Sequence, residues 1–331
     1  NSCLPDDFIY VIDEAHHFAT VIRDQLVTQV GVKTFDDVFI FFNPDKDNWK
    51  KNALTKFPNI LKLYNMLTED STILRKGIQA FFTSYYDNKR DMVNKSEYHV
   101  NKLLYWDSQE EFIDTDPTPW EVLTELTGFE KNIQKLGTLL QVNKEQIPAS
   151  IIIEFSAIDG ILKEGLESLN AALDIRSELV QWSSFIQSDY QNLTSLNSAP
   201  LKVNNFIYEN LLQAYSGGVL CSATLMVNDD FRYFGEKVGL ELAVIDHHVK
   251  ERIYHSPFHY NDQVKLFVFR GSINVNDPLF MNEIGSQIEK IFTSLKKRML
   301  VLCTSFKQIL ALKNYIEPKL RDDDCKLFVQ A

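Results

Sequence analysis

Two adjacent carboxylates, Asp13 and Glu14, stand at the end of the apolar run Asp7 to Ile12 (D-F-I-Y-V-I). β-Branched and aromatic residues crowd that run, so it reads as a buried strand of the kind found in parallel sheets. Ligands of open α/β sheets bind outside the carboxyl ends of such strands. Hydrolysis of a nucleoside triphosphate needs Mg²⁺ near the β- and γ-phosphates, usually held by an acidic residue and water. It also needs a group that orients and deprotonates the attacking water. Asp13 fits the first task, acting through water, and Glu14 the second. The plainer reading is that the pair merely opens a helix, whose positive end suits acidic side chains. The full run Val11-Ile12-Asp13-Glu14-Ala15-His16 is more specific than a bare acidic pair.

Two further strand ends carry hydroxyls. Gly218-Val219-Leu220-Cys221-Ser222-Ala223-Thr224-Leu225 reads as a second buried strand that ends at Ser222 and Thr224. Taken alone, Ser-Ala-Thr is most often a helix cap or a turn. Leu300-Val301-Leu302-Cys303-Thr304-Ser305-Phe306 reads as a strand ending at Thr304 and Ser305, and Ser305 also suits a helix N-cap.

These residues need elements to position them. A helical pattern follows the first acidic pair: Ala15, Phe18, Val21, Ile22 and Leu26. From about Phe35 to Ile186, apolar residues recur at three- and four-residue spacing, as in Phe57, Ile60, Leu61, Tyr64 and Leu67, or Ile161, Leu162, Leu166, Leu169 and Leu173. This predicts a long, mostly helical segment. Tyr98 to Trp106 interrupts it as a strand or hairpin. Asp114 to Pro119 reads as a turn into another helix, with Thr118 as N-cap and Pro119 at the first helical position.

After Ser195 strands and helices alternate. Helices are expected over Phe206 to Tyr215, Asp229 to Val238, Leu279 to Leu295 and Phe306 to Ile316. Strands are expected over Val219 to Ser222, Leu242 to Ile245, Val264 to Phe269, Met299 to Cys303 and Cys325 to Val329. Such alternation implies a parallel sheet with helices on both faces. The expected division is 1–30, 31–195, 196–250 and 251–331, two α/β portions flanking a helical insertion. With no initiator Met and an end on what reads as a buried strand, the sequence is expected to be a piece of a longer polypeptide.

The run ending in Asp13-Glu14-Ala15-His16 resembles the DEAH box of superfamily 2 helicases. Ser222-Ala223-Thr224 resembles their motif III, and Thr304-Ser305 with the preceding strand resembles motif IV. Asp230-Phe231-Arg232-Tyr233-Phe234 and Val238-Gly239-Leu240 continue the likeness. About 200 residues of helical texture separate Glu14 from Ser222, far beyond an ordinary loop. DinG/XPD-like helicases carry a helical arch at this place, so the resemblance is to that branch and covers nearly the whole chain.

The resemblance implies an α/β fold with two RecA-like parallel-sheet domains, both incomplete, and a large helical arch-type insertion in the first. It implies ATP hydrolysis with Mg²⁺, coupled to movement along single-stranded DNA, with 5′-to-3′ polarity, in DNA repair or replication. It assigns His16 to the catalytic motif. Ser222 and Thr224 would bond towards the DEAH residues and couple hydrolysis to domain movement. Thr304 and Ser305 would touch the nucleic-acid backbone. There are departures. No Gly-x-x-x-x-Gly-Lys-Ser/Thr loop occurs, so these residues alone are not expected to turn over ATP. The family's iron–sulfur cysteines would precede the DEAH box, and no cluster is expected here, since Cys3 alone cannot hold one. Two rival readings stay open: the helicase-like module of a DinG-type exonuclease regulated by ATP, and a non-catalytic nucleic-acid-binding scaffold with a vestigial ATPase fold.

Composition narrows the field. The 331 residues are 45% hydrophobic, enough for a sizeable core. A net charge of −11 argues against coating duplex DNA by bulk electrostatics, while leaving room for a locally basic groove. No basic-then-apolar leader and no membrane-length apolar run occur. The four cysteines are scattered without a CxxC pair, which fits thiols used as small hydrophobes in the cytoplasm. The G-x-S-x-G elbow of α/β hydrolases is missing.

Several conspicuous residues read more plainly than they look. His17 reads as surface. His247, His248, His255 and His259 cluster without a cysteine and read as a loop rather than a zinc site. Phe81, Phe82, Tyr85, Tyr86, Trp106, Trp120 and Trp182 could stack on bases, but helical spacing reads most of them as core. Lys50-Lys51 and Lys296-Lys297-Arg298 read as solvated faces.

Overall fold

The computed structural model describes residues 9–43, 48–93, 102–175, 178–187, 192–215, 217–246, 249–268, 270, 273–275, 277–295, 298–319 and 326–330. Cys3, Cys325, His247, His248, Lys296 and Lys297 lie outside the described residues. The chain divides into two units, Asn1–Glu251 and Arg252–Ala331. Both helices and sheets are present, one sheet parallel and one antiparallel.

In the first unit, β1 (Ile9–Ile12) leads through a 3-10 turn at Ala15–His17 into α1 (Phe18–Gln25). β2 (Thr28–Gly31), α2 (Asp36–Phe41), α3 (Asn48–Leu54) and α4 (Pro58–Val93) follow. Next come β3 (Lys102–Trp106), α5 (Pro119–Val142), α6 (Ala149–Leu173), β4 (Leu179–Gln187) and β5 (Asn192–Pro200). α7 (Asn204–Ile207) continues into a π-helical turn at Tyr208–Leu212, then β6 (Gly217–Leu220), α8 (Arg232–Val238) and α9 (Leu240–Asp246).

The helical texture becomes a core of its own. Ile60, Tyr64, Leu67, Leu74, Ile78, Phe81 and Tyr85 recur along α4 and are buried in one cluster with Val122, Leu126, Phe129 and Ile133 of α5 and Ile158, Leu162 and Leu169 of α6. Phe81, Phe82, Tyr85 and Trp106 are core residues as expected. The start of α5 is also as expected. Thr118 Oγ1 accepts from the Glu121 amide at 3.3 Å, Glu121 Oε2 accepts from the Thr118 amide at 2.8 Å, and Pro119 opens the helix. A capping box of this kind satisfies donors that the first helical turn leaves free.

Other expectations are corrected. The strand expected within Tyr98 to Trp106 forms as β3, but the segment read as mostly helical also contains β4, and the two join β5 and β2 in a four-stranded antiparallel sheet of order β2-β5-β4-β3. Leu242 to Ile245 is part of α9, not a strand. Lys50 is not solvated: it is 3% exposed, its Nζ lies 2.8 Å from Glu154 Oε2 and 3.9 Å from the centre of the Phe41 ring. Burial of the ammonium is offset by that carboxylate and by the ring face.

β1 and β6 form a two-stranded parallel sheet, Ile9 opposite Gly217 and Ile12 opposite Leu220. Neither strand is buried on both faces as expected, for Ile9 is 74% and Val11 68% exposed. The reason is coverage. A second core of Ala15, Ala19, Val203, Ile207, Phe234 and Val238 takes up Ile12 and Leu220, while the side chains of Ile9 and Val11 are no part of it.

In the second unit, α10 (Tyr260–Gln263), α11 (Phe280–Leu295) and α12 (Phe306–Ile316) are helical. The expected strands over Val264 to Phe269, Met299 to Cys303 and Cys325 to Val329 do not form among their described residues. Leu266 and Leu302 are each 86% exposed. An apolar run becomes a parallel strand only with ladder partners beside it and helices over both faces, and the described residues supply neither here. α11 and α12 pack where Gly285 meets Tyr315, with no room for a Cβ. No helix among the described residues is long and apolar enough to cross a membrane.

Candidate active site

The register of β1 against β6 brings the two motif-bearing strand ends side by side. Ile12 and Leu220 are opposite each other, so Asp13-Glu14 and Cys221-Ser222 leave the sheet together. Two backbone bonds continue the pairing beyond it: Cys221 N to Ile12 O at 3.0 Å and Ala15 N to Cys221 O at 3.0 Å. Gly218 permits the fit, since a Cβ there would stand 2.0 Å from the Tyr10 ring laid over it.

Glu14 takes a left-handed backbone, φ 51° and ψ 40°. For a residue with a Cβ this costs on the order of 1 kcal/mol and persists only where the surroundings impose it. Here the Glu14 carbonyl accepts from the His17 amide at 3.0 Å. The buried Ala15 fastens the turn to the second core.

The side chains form one hydrogen-bonded cluster. Ser222 Oγ donates to Glu14 Oε2 at 3.0 Å, and His16 Nδ1 lies 2.7 Å from Ser222 Oγ. A hydroxyl has one proton. With that proton on the Glu14 side, the serine oxygen accepts from Nδ1–H, which fixes the tautomer of His16. His16 Nδ1 is also 3.2 Å from Glu14 Oε2. Thr224 joins through its backbone amide, which donates to Ser222 Oγ at 3.3 Å. His17 is exposed, and its ring sits 3.8 Å from that of His16.

Asp13 Oδ1 accepts from the Glu14 amide at 2.9 Å and from the Cys221 thiol at 3.5 Å. Desolvation pushes that thiol up, helped by its bond to Asp13 and by the Asp13 and Glu14 charges. It therefore stays protonated and able to donate. By sequence alone Cys221 reads as a small hydrophobe. Its position directly before Ser222 at a strand end was the available signal.

Thr304 and Ser305 lie in the second unit. Ser305 caps α12, its Oγ accepting from the Gln308 amide at 3.3 Å. Thr304 donates to Gln308 Oε1 from its amide at 3.1 Å and from its hydroxyl at 3.0 Å. Among the described residues no three His, Cys, Asp or Glu side chains converge as a metal-binding group. His255 and His259 belong to no such group, and His247 and His248 lie outside the described residues.

No family model matches the chain. Over 194 residues, 58% of the chain, it is 28% identical to the ATP-dependent DNA helicase YoaA of Haemophilus influenzae, covering 28% of that protein. Over 99% of the chain it is 19% identical to the 3′-5′ exonuclease DinG of Bacillus subtilis, covering 36% of it. A third similarity, 31% over 111 residues, is to the ATP-dependent DNA helicase YoaA of Escherichia coli, covering 34% of the chain and 16% of that protein. The chain thus spans little more than a third, or less, of the length of these curated relatives. It is distantly similar to two DNA helicases and to DinG, and its DEAH and Ser-Ala-Thr segments meet side by side.

Proposed function

We propose that the chain is part of an ATP-dependent DNA helicase or translocase that acts on single-stranded DNA. The observation that carries this reading is the Glu14–Ser222–His16 cluster, which joins residues 208 and 206 positions apart at adjacent strand ends. In this reading the parallel pair is the edge of a first RecA-like domain, residues 31–195 are an arch inserted into it, and residues 251–331 begin a second.

Glu14 is the base. Its carboxylate is exposed, one oxygen engaged by Ser222, and takes the proton of the attacking water. Once protonated, it is a weaker acceptor for the Ser222 hydroxyl. The Ser222–His16 contact is then free to rearrange, which gives hydrolysis a structural consequence. Asp13 is an exposed carboxylate, and Cys221 and the Glu14 amide hold its Oδ1. That suits Mg²⁺, which keeps several waters and takes one or two carboxylates together with substrate phosphates. Asp13 would hold it through water, and the ion would supply charge neutralisation at the phosphates. Thr304 and Ser305 are proposed to meet the DNA backbone.

Glu14→Gln in the full-length protein is expected to lower ATP hydrolysis by at least about 100-fold while ATP and DNA binding persist. Near-normal turnover would sink the assignment of the base. A second reading has its own support, the 99% coverage against a protein named as an exonuclease. There the chain would be a helicase-like module that regulates cleavage. Release of nucleotides from a 3′-labelled strand by the full-length protein, altered by Glu14→Gln, would favour it.

A further inference from the structure

The end of β6 sorts the two adjacent carboxylates. Cys221 faces Asp13 and Ser222 faces Glu14, one side-chain donor to each. The backbone fixes where Cys221 stands. Its amide donates to Ile12 O at 3.0 Å and its carbonyl accepts from the Ala15 amide at 3.0 Å, so the residues on both sides of Asp13-Glu14 grip it. The half-buried thiol lies 3.5 Å from Asp13 Oδ1 and 3.6 Å from Ile12 O. It has one proton to give. Ile12 O already takes the Cys221 amide, and an ionised carboxylate is the stronger acceptor. The proton therefore goes to Asp13.

The consequence lies on the carboxylate. Oδ1 also accepts from the Glu14 amide at 2.9 Å, so two donors of the protein converge on one oxygen. Oδ2 has no partner among the described residues. Asp13 is thus held in one orientation with a single oxygen unengaged. Such a carboxylate offers a cation one oxygen and cannot close on it with both unless a hydrogen bond breaks. Ca²⁺ commonly takes carboxylates through both oxygens, whereas Mg²⁺ demands a smaller, more regular shell and keeps several waters.

We propose that Cys221 is a positioning residue for Asp13, and that its thiol favours Mg²⁺ over Ca²⁺ by keeping Oδ1 engaged. This role rests on the hydrolytic reading of Asp13 above and adds the residue that orients it. Hydrogen bonds to a metal-ligating carboxylate set its orientation and, through it, affinity for the ion. The thiol touches Asp13, not the ion, and acts as a neutral donor.

The test is the Mg²⁺ dependence of binding of a fluorescent, non-hydrolysable ATP analogue to the full-length protein, with ATP hydrolysis measured beside it. Cys221→Ala should raise the half-saturating Mg²⁺ concentration about three- to tenfold in both assays, and lower turnover at saturating Mg²⁺ by less than that. Cys221→Ser keeps a donor and should return the Mg²⁺ dependence to within about twofold of the parent. In Cys221→Ala the ratio of half-saturating Ca²⁺ to half-saturating Mg²⁺ should fall by about threefold. Cys221→Val fills the space of the thiol without a donor and should match Cys221→Ala, which keeps the test open if the alanine variant unfolds. Asp13→Asn separates the two readings. If it abolishes the Mg²⁺ dependence while Cys221→Ala and Cys221→Val keep that of the parent, the metal carboxylate stands and the positioning role falls. If Asp13→Asn also behaves as the parent does, the hydrolytic reading falls and the positioning role with it. A serine variant as impaired as the alanine one, or equal losses for Mg²⁺ and Ca²⁺, would likewise overturn the role given to Cys221.

Discussion

Ser222 Oγ is saturated. It donates to Glu14 and accepts from His16 and from the Thr224 amide. Removing it leaves His16 Nδ1 and Glu14 Oε2 facing each other at 3.2 Å and breaks their side-chain link to the β6 strand end. Ser222→Ala is therefore expected to spare basal ATP hydrolysis within severalfold and to lower its stimulation by single-stranded DNA by about tenfold, a coupling of ordinary size. Ser222→Thr should restore it. ATPase assays with and without oligonucleotide read the ratio, and full stimulation in the alanine variant would remove Ser222 from the coupling path. At this scale the sequence was readable where residue order matches a family pattern, as in Asp13-Glu14-Ala15-His16 and Ser222-Ala223-Thr224. It was silent on the Cys221 thiol facing Asp13, because a cysteine in an apolar run reads the same whether or not its proton has an acceptor. Lys50 was misread for the same reason: its carboxylate partner, Glu154, is remote in sequence.

The elements differ in how plainly they declare themselves. α4, α5 and α6 are long and periodic, and their apolar stripes point to a shared core. β5, Asn-Leu-Thr-Ser-Leu-Asn-Ser-Ala-Pro, carries no strand signal, because polar residues fall on both of its faces and leave no alternation to find. Its buried Ser195, Asn197 and Ser198 are satisfied by cross-strand bonds that only the assembled sheet supplies. The N-terminus of α5 is the opposite case, local enough to be read outright. Bonds from the Thr118 amide and then from its hydroxyl hold the Glu121 carboxyl below its usual range. A folded-state value below the unfolded one adds stability above the unfolded range, lost as pH falls through the folded value. The melting-temperature gap between the parent and Glu121→Gln should thus be present at neutral pH, shrink below about pH 4.3 and vanish in stronger acid. A gap independent of pH would mean the carboxylate charge does not serve the cap. Thr118→Ala should cost about 1 kcal/mol at neutral pH.

Among the described residues of the first unit lie two hydrophobic cores with no residue in common. One runs from Val30 to Leu196 and the other joins Ala15 and Ala19 to Val203, Ile207, Phe234 and Val238. The chain enters the larger core after the acidic strand end and leaves it before the hydroxyl one, so the large core can weaken without opening the site. Leu126 is fully buried in the larger core, and Leu126→Ala should cost about 2–5 kcal/mol there through lost contacts and a residual cavity. Native-state hydrogen exchange locates where that cost falls, because separate cooperative units open with separate free energies. Amides of α4, α5 and α6 should exchange faster in the variant by factors of tens or more. Amides of Cys221 and Ala15, bonded across the β1–β6 strand ends, should hold their parent rates. Equal acceleration at both places would show one cooperative unit. The helical segment would then support the Glu14–Ser222–His16 cluster directly instead of being carried beside it.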